Sequence, residues 1–274
     1  MSLIVGLDIG GTTTKIVGLE NGNLFGFTRV KASDAYTSAS GGLGKFLNET
    51  GRKLQDVSDI HITGVGAVHI GSELFGCPTR HVSEFDSVGL GGLHLAGLEQ
   101  AIVVSMGTGT SIVAARESRV EHVIGSGVGG GTLQGLAEQM INMQDFDTIS
   151  ELANQGDLSM VDLTIADITT AKIPGLTPEA TASNFGKMED LASVEDLAAG
   201  IVNLVFQSVG TASVLAARLN KLDTIIITGN LSLIPLGKTV LEGFAKLYNL
   251  SFVFPENSEF ATAVGAALIE SVSF

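Results

Sequence analysis

Three glycine-rich segments of the sequence combine residue types that bind phosphate groups. Residues 8–15 read Asp-Ile-Gly-Gly-Thr-Thr-Thr-Lys, residues 107–111 read Gly-Thr-Gly-Thr-Ser, and residues 125–132 read Gly-Ser-Gly-Val-Gly-Gly-Gly-Thr. Glycines let backbone amides approach an anion without an intervening Cβ, and threonines add hydroxyl donors. The spacing matches neither the common P-loop nor the dinucleotide-binding fingerprint. We therefore expect a phosphate site of another type, with an ordinary turn or linker as the alternative for each segment alone.

The first segment also carries charged residues that suit a metal–phosphate complex. Asp8 follows an apolar run, and one carboxylate with several waters is a ligand set that Mg²⁺ prefers. The third segment runs directly into an apolar helical pattern, so its amides would stand at a helix N-terminus, which favours anions. Together the segments predict one phosphate tail held between two halves of the chain.

The apolar pattern around these segments predicts an α/β fold with two halves. Residues 3–19 and 101–115 share one order, in which an apolar strand, a Gly/Thr turn and a second apolar strand follow each other. This partial repeat places an internal boundary near Glu99, so we expect one domain over residues 1–98 and a second over residues 99–274. Alternating strands and helices in the remainder indicate the α/β class.

Local signals predict where individual elements begin and end. The Asn21-Gly22 pair between two apolar runs predicts a hairpin turn. Residues 67–75 have a helical pattern. Asp86 stands where the N-cap of the next helix belongs, and we expect that helix from Ser87 to about Gly97.

The longest helical pattern covers residues 191–219. Its apolar residues at steps of three or four form one face, and Val202, Phe206 and Val209 form a second. Two apolar faces are more than one half of the molecule needs, and an uncovered stripe of this size would favour aggregation. We therefore expect a homodimer in which a second copy covers one face.

The composition excludes several classes of protein. The chain has 274 residues and a formal net charge of −14, which argues against nucleic acid or an anionic membrane as a partner. Its single cysteine, Cys77, excludes a disulfide framework, a zinc cluster and an all-cysteine iron–sulfur site within one chain. No run of about 18 apolar residues and no leader pattern is present, so we expect a soluble cytoplasmic protein.

Short motifs follow one another from residue 4 to about residue 268. Besides the three glycine-rich segments, they are Ser-Glu-Phe-Asp at 83–86, Asn-Gln-Gly-Asp at 154–157, Pro-Gly at 174–175 and Thr-Ala-Ser-Asn-Phe-Gly at 181–186. In this order they resemble the type II pantothenate kinases, a family of the acetate and sugar kinase/Hsp70/actin superfamily. The resemblance implies two actin-like (ribonuclease H-like) lobes with MgATP in the cleft between them. It also implies phosphorylation of pantothenate to 4'-phosphopantothenate, the first step of coenzyme A biosynthesis.

The resemblance implies roles for individual residues. Glu84 would be the general base that takes the proton of the attacking hydroxyl, and Asp8 would hold Mg²⁺ through water. The implied ATP site comprises Asp8, Gly10, Gly11, Thr12, Thr13, Lys15, Thr108, Gly130, Gly131, Thr132, Gln134, Phe146 and Asn230. The implied substrate site comprises Ser105, Gly107 and His122.

Two of these assignments have plain alternatives. Glu84 also fits a solvated loop acid, the commonest state of a glutamate. His122 stands where the family usually has an arginine, so a permanent charge with five donors is replaced by a shorter side chain with at most two. We expect weaker pantothenate binding than in arginine-bearing relatives; the alternative is that His122 only caps the glycine-rich loop.

The alternatives in function lie within the same superfamily. One is a kinase for another small alcohol, such as an amino sugar or a pantothenate-like compound. Another is a sensor that closes on ATP without transferring phosphate, and a third is an actin-like polymer subunit. Relatives that activate dehydratases carry a cluster-binding cysteine pair, which Cys77 alone does not provide.

Overall fold

The structure is a computed structural model that describes residues 3–116, 119–173 and 175–269. The first half contains β1 (Leu3–Ile9), β2 (Thr13–Glu20), β3 (Asn23–Lys31), α1 (Ala35–Thr50), β4 (Val57–Thr63), β5 (Glu73–Leu74), β6 (Cys77–His81) and α2 (Glu84–Ala96). The second half contains β7 (Gln100–Met106), β8 (Thr110–Arg116), β9 (Arg119–Ser126), α3 (Gly130–Ile141), α4 (Phe146–Ala153), β10 (Leu163–Thr164), α5 (Ile165–Ile168), β11 (Thr181–Ser183), α6 (Val194–Asn220), β12 (Thr224–Thr228), α7 (Pro235–Tyr248), β13 (Ser251–Val253) and α8 (Ala261–Leu268). The predicted α/β class is confirmed.

Two large mixed sheets carry the two halves. The first has the order β3-β2-β1-β4-β6-β5 and the second has the order β13-β12-β7-β8-β9; β10 and β11 form a separate two-stranded sheet. In the first sheet β1 runs parallel to β4 and antiparallel to β2, and in the second β7 runs parallel to β12 and antiparallel to β8. The shared arrangement confirms the predicted repeat of strand, turn and strand.

Two helices connect the sheets across the predicted boundary. Helix α2 packs on β7, β8 and β9 of the second sheet, whereas α8 packs on β1, β2 and β4 of the first. The two helices also pack against each other, and glycines permit the approach: a Cβ on Gly91 would lie 1.8 Å from the carbonyl oxygen of Ala261. A Cβ on Gly265 would lie 1.8 Å from that of Ser87. The last helix of each half therefore packs on the sheet of the other half.

The structure confirms one of the local predictions in the first half and contradicts another. Asn21 and Gly22 have φ values of 52° and 80°, so the predicted two-residue hairpin turn is confirmed. The helix predicted over residues 67–75 is wrong, because a single 3-10 turn at Ala67–His69 leads into the short strand β5. Two of its apolar residues, Ile70 and Leu74, are buried in the core of the first sheet instead of lining a helix face.

The start of α2 also differs from the prediction. Ser83, not Asp86, is the N-cap, because its Oγ accepts a hydrogen bond from the backbone N–H of Asp86 at 3.3 Å. A serine followed three residues later by an acid is a strong helix start. The helix therefore begins at Glu84, and this shift matters for the site, since it turns a predicted loop acid into the first helical residue.

Helix α6 corresponds to the long helix predicted over residues 191–219. By length and composition it is, within the described part of the chain, the one helix that could cross a membrane, but two thirds of its most apolar stretch is buried inside the protein. The expected second face, Val202, Phe206 and Val209, belongs to the protein's own core. The residues that remain exposed lie on the other face, with Leu215 61% and Leu219 76% exposed.

Candidate active site

A cleft of about 1300 Å³ lies between the two sheets. All but two of the predicted site residues line it, namely Asp8, Gly10, Gly11, Thr12, Thr13, Lys15, Glu84, Ser105, Gly107, Thr108, Gly130, Gly131, Gln134, Phe146 and Asn230. The two that do not are Thr132 and His122. The fold thus brings residues up to 222 positions apart into one concave site.

Asp8 and Lys15 form an ion pair in the floor of the cleft. They face each other across the β1–β2 hairpin, with Lys15 Nζ 3.7 Å from Asp8 Oδ2. Burial raises the pKa of the Asp8 carboxyl, and the charge of Lys15 opposes that rise. Gly64, with a φ of 87°, lets the chain after β4 approach; a Cβ there would lie 2.7 Å from Asp8 Oδ1. The carboxylate is therefore held in a fixed position.

The glycine-rich segment before α3 binds the second Gly/Thr turn. The amide of Gly130 donates to the carbonyl oxygen of Gly107, and the amide of Gly131 donates to that of Thr108, both at 2.8 Å. Gly130 lines the cleft, but its amide, which the sequence places at a helix N-terminus where it would favour an anion, is already used as a donor in this geometry. Thr132 Oγ1 donates to the carbonyl oxygen of Gly127 at 2.9 Å, which keeps this side chain within the loop.

The two phosphate-type turns touch each other across the cleft. Thr12 Oγ1 and Thr108 Oγ1 are 3.2 Å apart, although 96 positions separate them in the sequence. Asn230 Nδ2 donates to Thr13 Oγ1 at 3.4 Å, a second contact between the halves. Asn230 Oδ1 and Ser111 Oγ are buried in the cleft wall without a hydrogen-bond partner. Such atoms are normally satisfied, so a ligand with matching donors and acceptors would find them free.

Glu84 projects into the cleft from the first residue of α2. Its pKa is raised above the ordinary value, mainly because the cleft walls remove water from the carboxyl and additionally because of the negative charge of Asp8. A raised pKa makes the carboxylate a stronger base once it is ionised. The position and the pKa both suit a group that accepts a proton.

His122 lies beside the cleft mouth instead of in its wall. Its ring stacks on the ring of Phe85, with centroids 4.1 Å apart and planes at 22°. Both side chains are exposed, and the described residues give His122 no ion pair with Glu84. The structure therefore places His122 next to the base-bearing turn, but not among the residues that line the cleft.

The cleft also contains residues that the motifs did not indicate. Arg29 and Lys31 of β3 line the cleft, as do Glu138, Asp145 and Asp147. Hydrogen bonds from Thr148 and, as a smaller contribution, the charge of Lys31 lower the pKa of the Asp145 carboxyl. Within the described residues, the lysines and arginines of the lining are Lys15, Arg29 and Lys31. The described residues contain no group of three or more His, Cys, Asp or Glu side chains arranged to hold a metal ion.

Curated sequences match this chain over almost its whole length. The family model Fumble matches residues 100–268. A type II pantothenate kinase from Staphylococcus haemolyticus is 30% identical over 275 aligned residues, which cover 96% of this chain and 98% of that enzyme. The region that the family model matches includes the motifs from residue 107 to residue 186 and excludes those at 8–15 and 83–86.

Two solved structures share the fold at lower identity. The activator of 2-hydroxyisocaproyl-CoA dehydratase from Clostridium difficile with bound ADPNP is 18% identical, with a TM-score of 0.70 over 99% of this chain and 100% of that one. A ROK family glucokinase from Streptomyces griseus with glucose and AMPPNP is 14% identical, with a TM-score of 0.67 over 97% and 98%. The likeness confirms the predicted architecture of two actin-like lobes.

The family assignment depends on the curated sequence relatives, because the two solved structures are only 18% and 14% identical to this chain. Cys77, the single cysteine of the sequence, is buried in β6 and does not line the cleft. Since a family model matches more than half of the chain and a near full-length relative is 30% identical, the chain belongs to the Fumble family of type II pantothenate kinases.

Proposed function

We propose that this protein transfers the γ-phosphate of ATP to the primary hydroxyl of pantothenate in the cytoplasm. The observation that carries the proposal is the arrangement of the cleft, where two touching Gly/Thr turns lie on the same floor as Asp8 and Glu84. Turns of this kind suit a polyphosphate, and the carboxylate at the start of α2 suits an acceptor hydroxyl. Family membership supplies the chemical identity of the acceptor.

The residues divide the reaction between them. Asp8 would hold a hydrated Mg²⁺, which neutralises charge on the phosphates when bound; one carboxylate plus waters suits this ion. Glu84 accepts the hydroxyl proton while the oxygen attacks the γ-phosphorus and the bond to the ADP oxygen breaks. The backbone of residues 10–12 and the hydroxyls of Thr12 and Thr108 hold the phosphates in line.

A direct assay tests the proposal. ADP release is measured with ATP, Mg²⁺ and pantothenate, and again with pantothenate omitted or replaced by glucosamine. We expect release that depends on pantothenate and a product with one added phosphate by mass spectrometry. Release that depends on the amino sugar instead would assign the chain to another acceptor. ATP binding without release for any alcohol would make it a sensor.

One observation favours a second candidate, a kinase for an uncharged pantothenate-like alcohol. Pantothenate carries a carboxylate, yet Lys15 of the described lining is already paired with Asp8, and His122 is stacked on Phe85. A neutral acceptor would need no cation there. The amide of pantothenate, which lacks the negative charge, separates the two possibilities.

His122→Arg tests this reading of the acceptor site. The variant restores a permanent charge and additional donors beside the cleft mouth, so we expect the KM for pantothenate to fall about three- to tenfold. The KM for the uncharged amide should stay within twofold, since it has no carboxylate to pair. Equal effects on both acceptors, or no effect on either, would remove His122 from the substrate site.

We propose further that two copies of the chain pair through α6. The support is the exposed apolar face that contains Leu204, Leu215 and Leu219, of which the last two are more than half exposed. Leucines at this spacing on a helix surface are typical of an interface between helices. The expected partner face is thus the one that remains outside the protein's own core, not the buried face of Phe206.

Leu215→Glu should convert the dimer into a monomer. A buried carboxylate without a partner at an interface costs several kcal/mol, so we expect light scattering to shift from twice the chain mass to 28.3 kDa. Val68→Glu, at a 75% exposed position outside α6, is the control and should leave the mass unchanged. A native protein of 28.3 kDa at all concentrations would contradict the pairing.

A further inference from the structure

Two cations on β3, Arg29 and Lys31, line the cleft, and within the described residues neither forms an ion pair within 4 Å. Arg29 pairs with Lys15, and Lys31 pairs with Thr13, in the antiparallel register of β2 and β3. Residues directly opposite each other in such a pair point to the same face of the sheet. All four of these residues line the cleft, so this is the cleft face.

The opposite face of β3 packs against α1. Thr28 Oγ1 donates to Glu49 of α1 at 2.6 Å, and Lys45 Nζ donates to the carbonyl oxygen of Arg29 at 3.2 Å from the same helix. By contrast, the described residues provide no hydrogen bond or ion pair within 4 Å for the guanidinium of Arg29 or the ammonium of Lys31. Lys31 acts on Asp145 only through its charge at longer range, so the described residues leave the hydrogen-bond donors of both cations available, in a chain of net charge −14.

The topology places these cations at the donor end of the cleft. Across the sheet the order is β3, β2, β1, β4 and β6, and Glu84 follows β6. Four strand spacings therefore separate β3 from β6, a distance of roughly 19 Å. Arg29 and Lys31 therefore extend from the edge strand β3, whereas Glu84 starts from the end of β6.

The same geometry places Lys31 beside the first phosphate turn. The amide of Ala32, the next residue, donates to the carbonyl oxygen of Thr12 at 2.9 Å, and the Cα atom of Lys31 is one strand spacing from that of Thr13. A lysine side chain extends roughly 6 Å, so its ammonium can contact a phosphate held by residues 10–12. Arg29 continues the row formed by Asp8 and Lys15 on the same face.

We propose that Arg29 and Lys31 bind the polyphosphate of the donor nucleotide from the β3 side of the cleft. This inference rests on the proposed function only in taking ATP as the donor. Lys15 is already paired with Asp8, and the amides of Gly130 and Gly131 are used by the second turn. Arg29 and Lys31 thus supply the positive charge that the glycine-rich turns do not.

Calorimetry on three variants tests this inference. Arg29→Gln and Lys31→Gln should each weaken binding of ATP and ADP about three- to tenfold, and the double variant about thirtyfold or more. Binding of AMP should change less than twofold, because it lacks the outer phosphates. The native affinity for ATP should also fall more steeply with salt than that of the double variant. Lys45→Gln, on the other face of the sheet, is the matched control with unchanged affinity.

The alternatives give different results. Unchanged ATP affinity in the double variant, or an equal loss for AMP, would overturn the inference. An increase in the KM for pantothenate without a loss of ATP affinity would assign the cations to the acceptor. Binding is measured without an acceptor, so a chain that binds ATP through these residues but does not phosphorylate pantothenate would contradict the proposed function alone.

Discussion

Glu84→Gln should lower kcat by about 10²–10⁴-fold while ATP binding stays within twofold of the native value. The amide keeps the size of the carboxylate but cannot accept the hydroxyl proton, and loss of a general base has this magnitude. Nucleotide affinity should survive because the phosphate turns, Asp8 and Lys15 are untouched. Single-turnover kinetics and calorimetry measure the two quantities separately.

The pH profile gives an independent check of the same role. Because the pKa of Glu84 is raised, the native enzyme should lose kcat/KM as pH falls through a value above the ordinary glutamate value of 4.5. Below that pKa the carboxyl is protonated and cannot act as a base; above it, activity reaches its plateau. The residual activity of Glu84→Gln should lack this acidic limb. Asp86→Asn, two residues further along α2, is the control; turnover near the native value in Glu84→Gln would exclude Glu84 as the base.

Much of the site could be predicted from the sequence because its parts are local. A glycine pair after an apolar strand, followed by threonines and a lysine, has few structural solutions, and Asp8 to Lys15 form the expected turn. Glu84 was predicted only through the Ser-Glu-Phe-Asp motif. Glu84 is the first helical residue because Ser83 is the N-cap. The sequence pattern indicates Asp86 as the N-cap instead, since Asp86 is also a residue type that caps helices.

The contribution of β3 to the cleft could not be predicted in this way. A two-residue turn at Asn21-Gly22 would by itself pair Lys15 with Thr28 and direct Arg29 to the opposite face. The structure instead contains a β-bulge at Gly26, which has a φ of 62°. Phe25 pairs with Gly18 and Phe27 with Val17, so Gly26 between them has no partner on β2. One extra residue in a strand reverses the faces of all residues that follow. The cleft position of Arg29 therefore depends on a glycine that no motif marks.

The acceptors of the backbone amides at the start of α3 could not be predicted from the sequence either. Glycines before a helix predict free N–H groups at its N-terminus, and α3 does begin at Gly130. Its first amides, however, donate to the carbonyl oxygens of residues 107 and 108. Only the folded chain brings these two residues next to the start of α3. The glycine-rich segment thus positions the second turn, and the threonine of that turn faces the cleft.

The last prediction follows from this correction and concerns Gly130→Val. A Cβ at Gly130 would lie 2.9 Å from the carbonyl oxygen of Gly107 and 2.9 Å from Leu231 Cδ1. The second turn must therefore move, and the hydroxyl of Thr108 moves with it away from Thr12. We expect ATP affinity to fall at least tenfold, and overpacking of this kind to cost about 1–3 kcal/mol of stability. Calorimetry and thermal unfolding measure the two losses.

A graded series of glycine substitutions separates this mechanism from a general effect of the loop. A Cβ at Gly131 would lie 3.2 Å from the carbonyl oxygen of Thr108, whereas one at Gly127 would meet no atom within 4 Å. We therefore expect Gly127→Ala to behave like the native protein, Gly131→Ala to lose a few-fold in ATP affinity, and Gly130→Val to lose the most. If Gly127→Ala weakened ATP binding as much as Gly130→Val, the loop would act through its flexibility. The order of the three variants thus reports whether the glycine-rich segment holds the second turn in place.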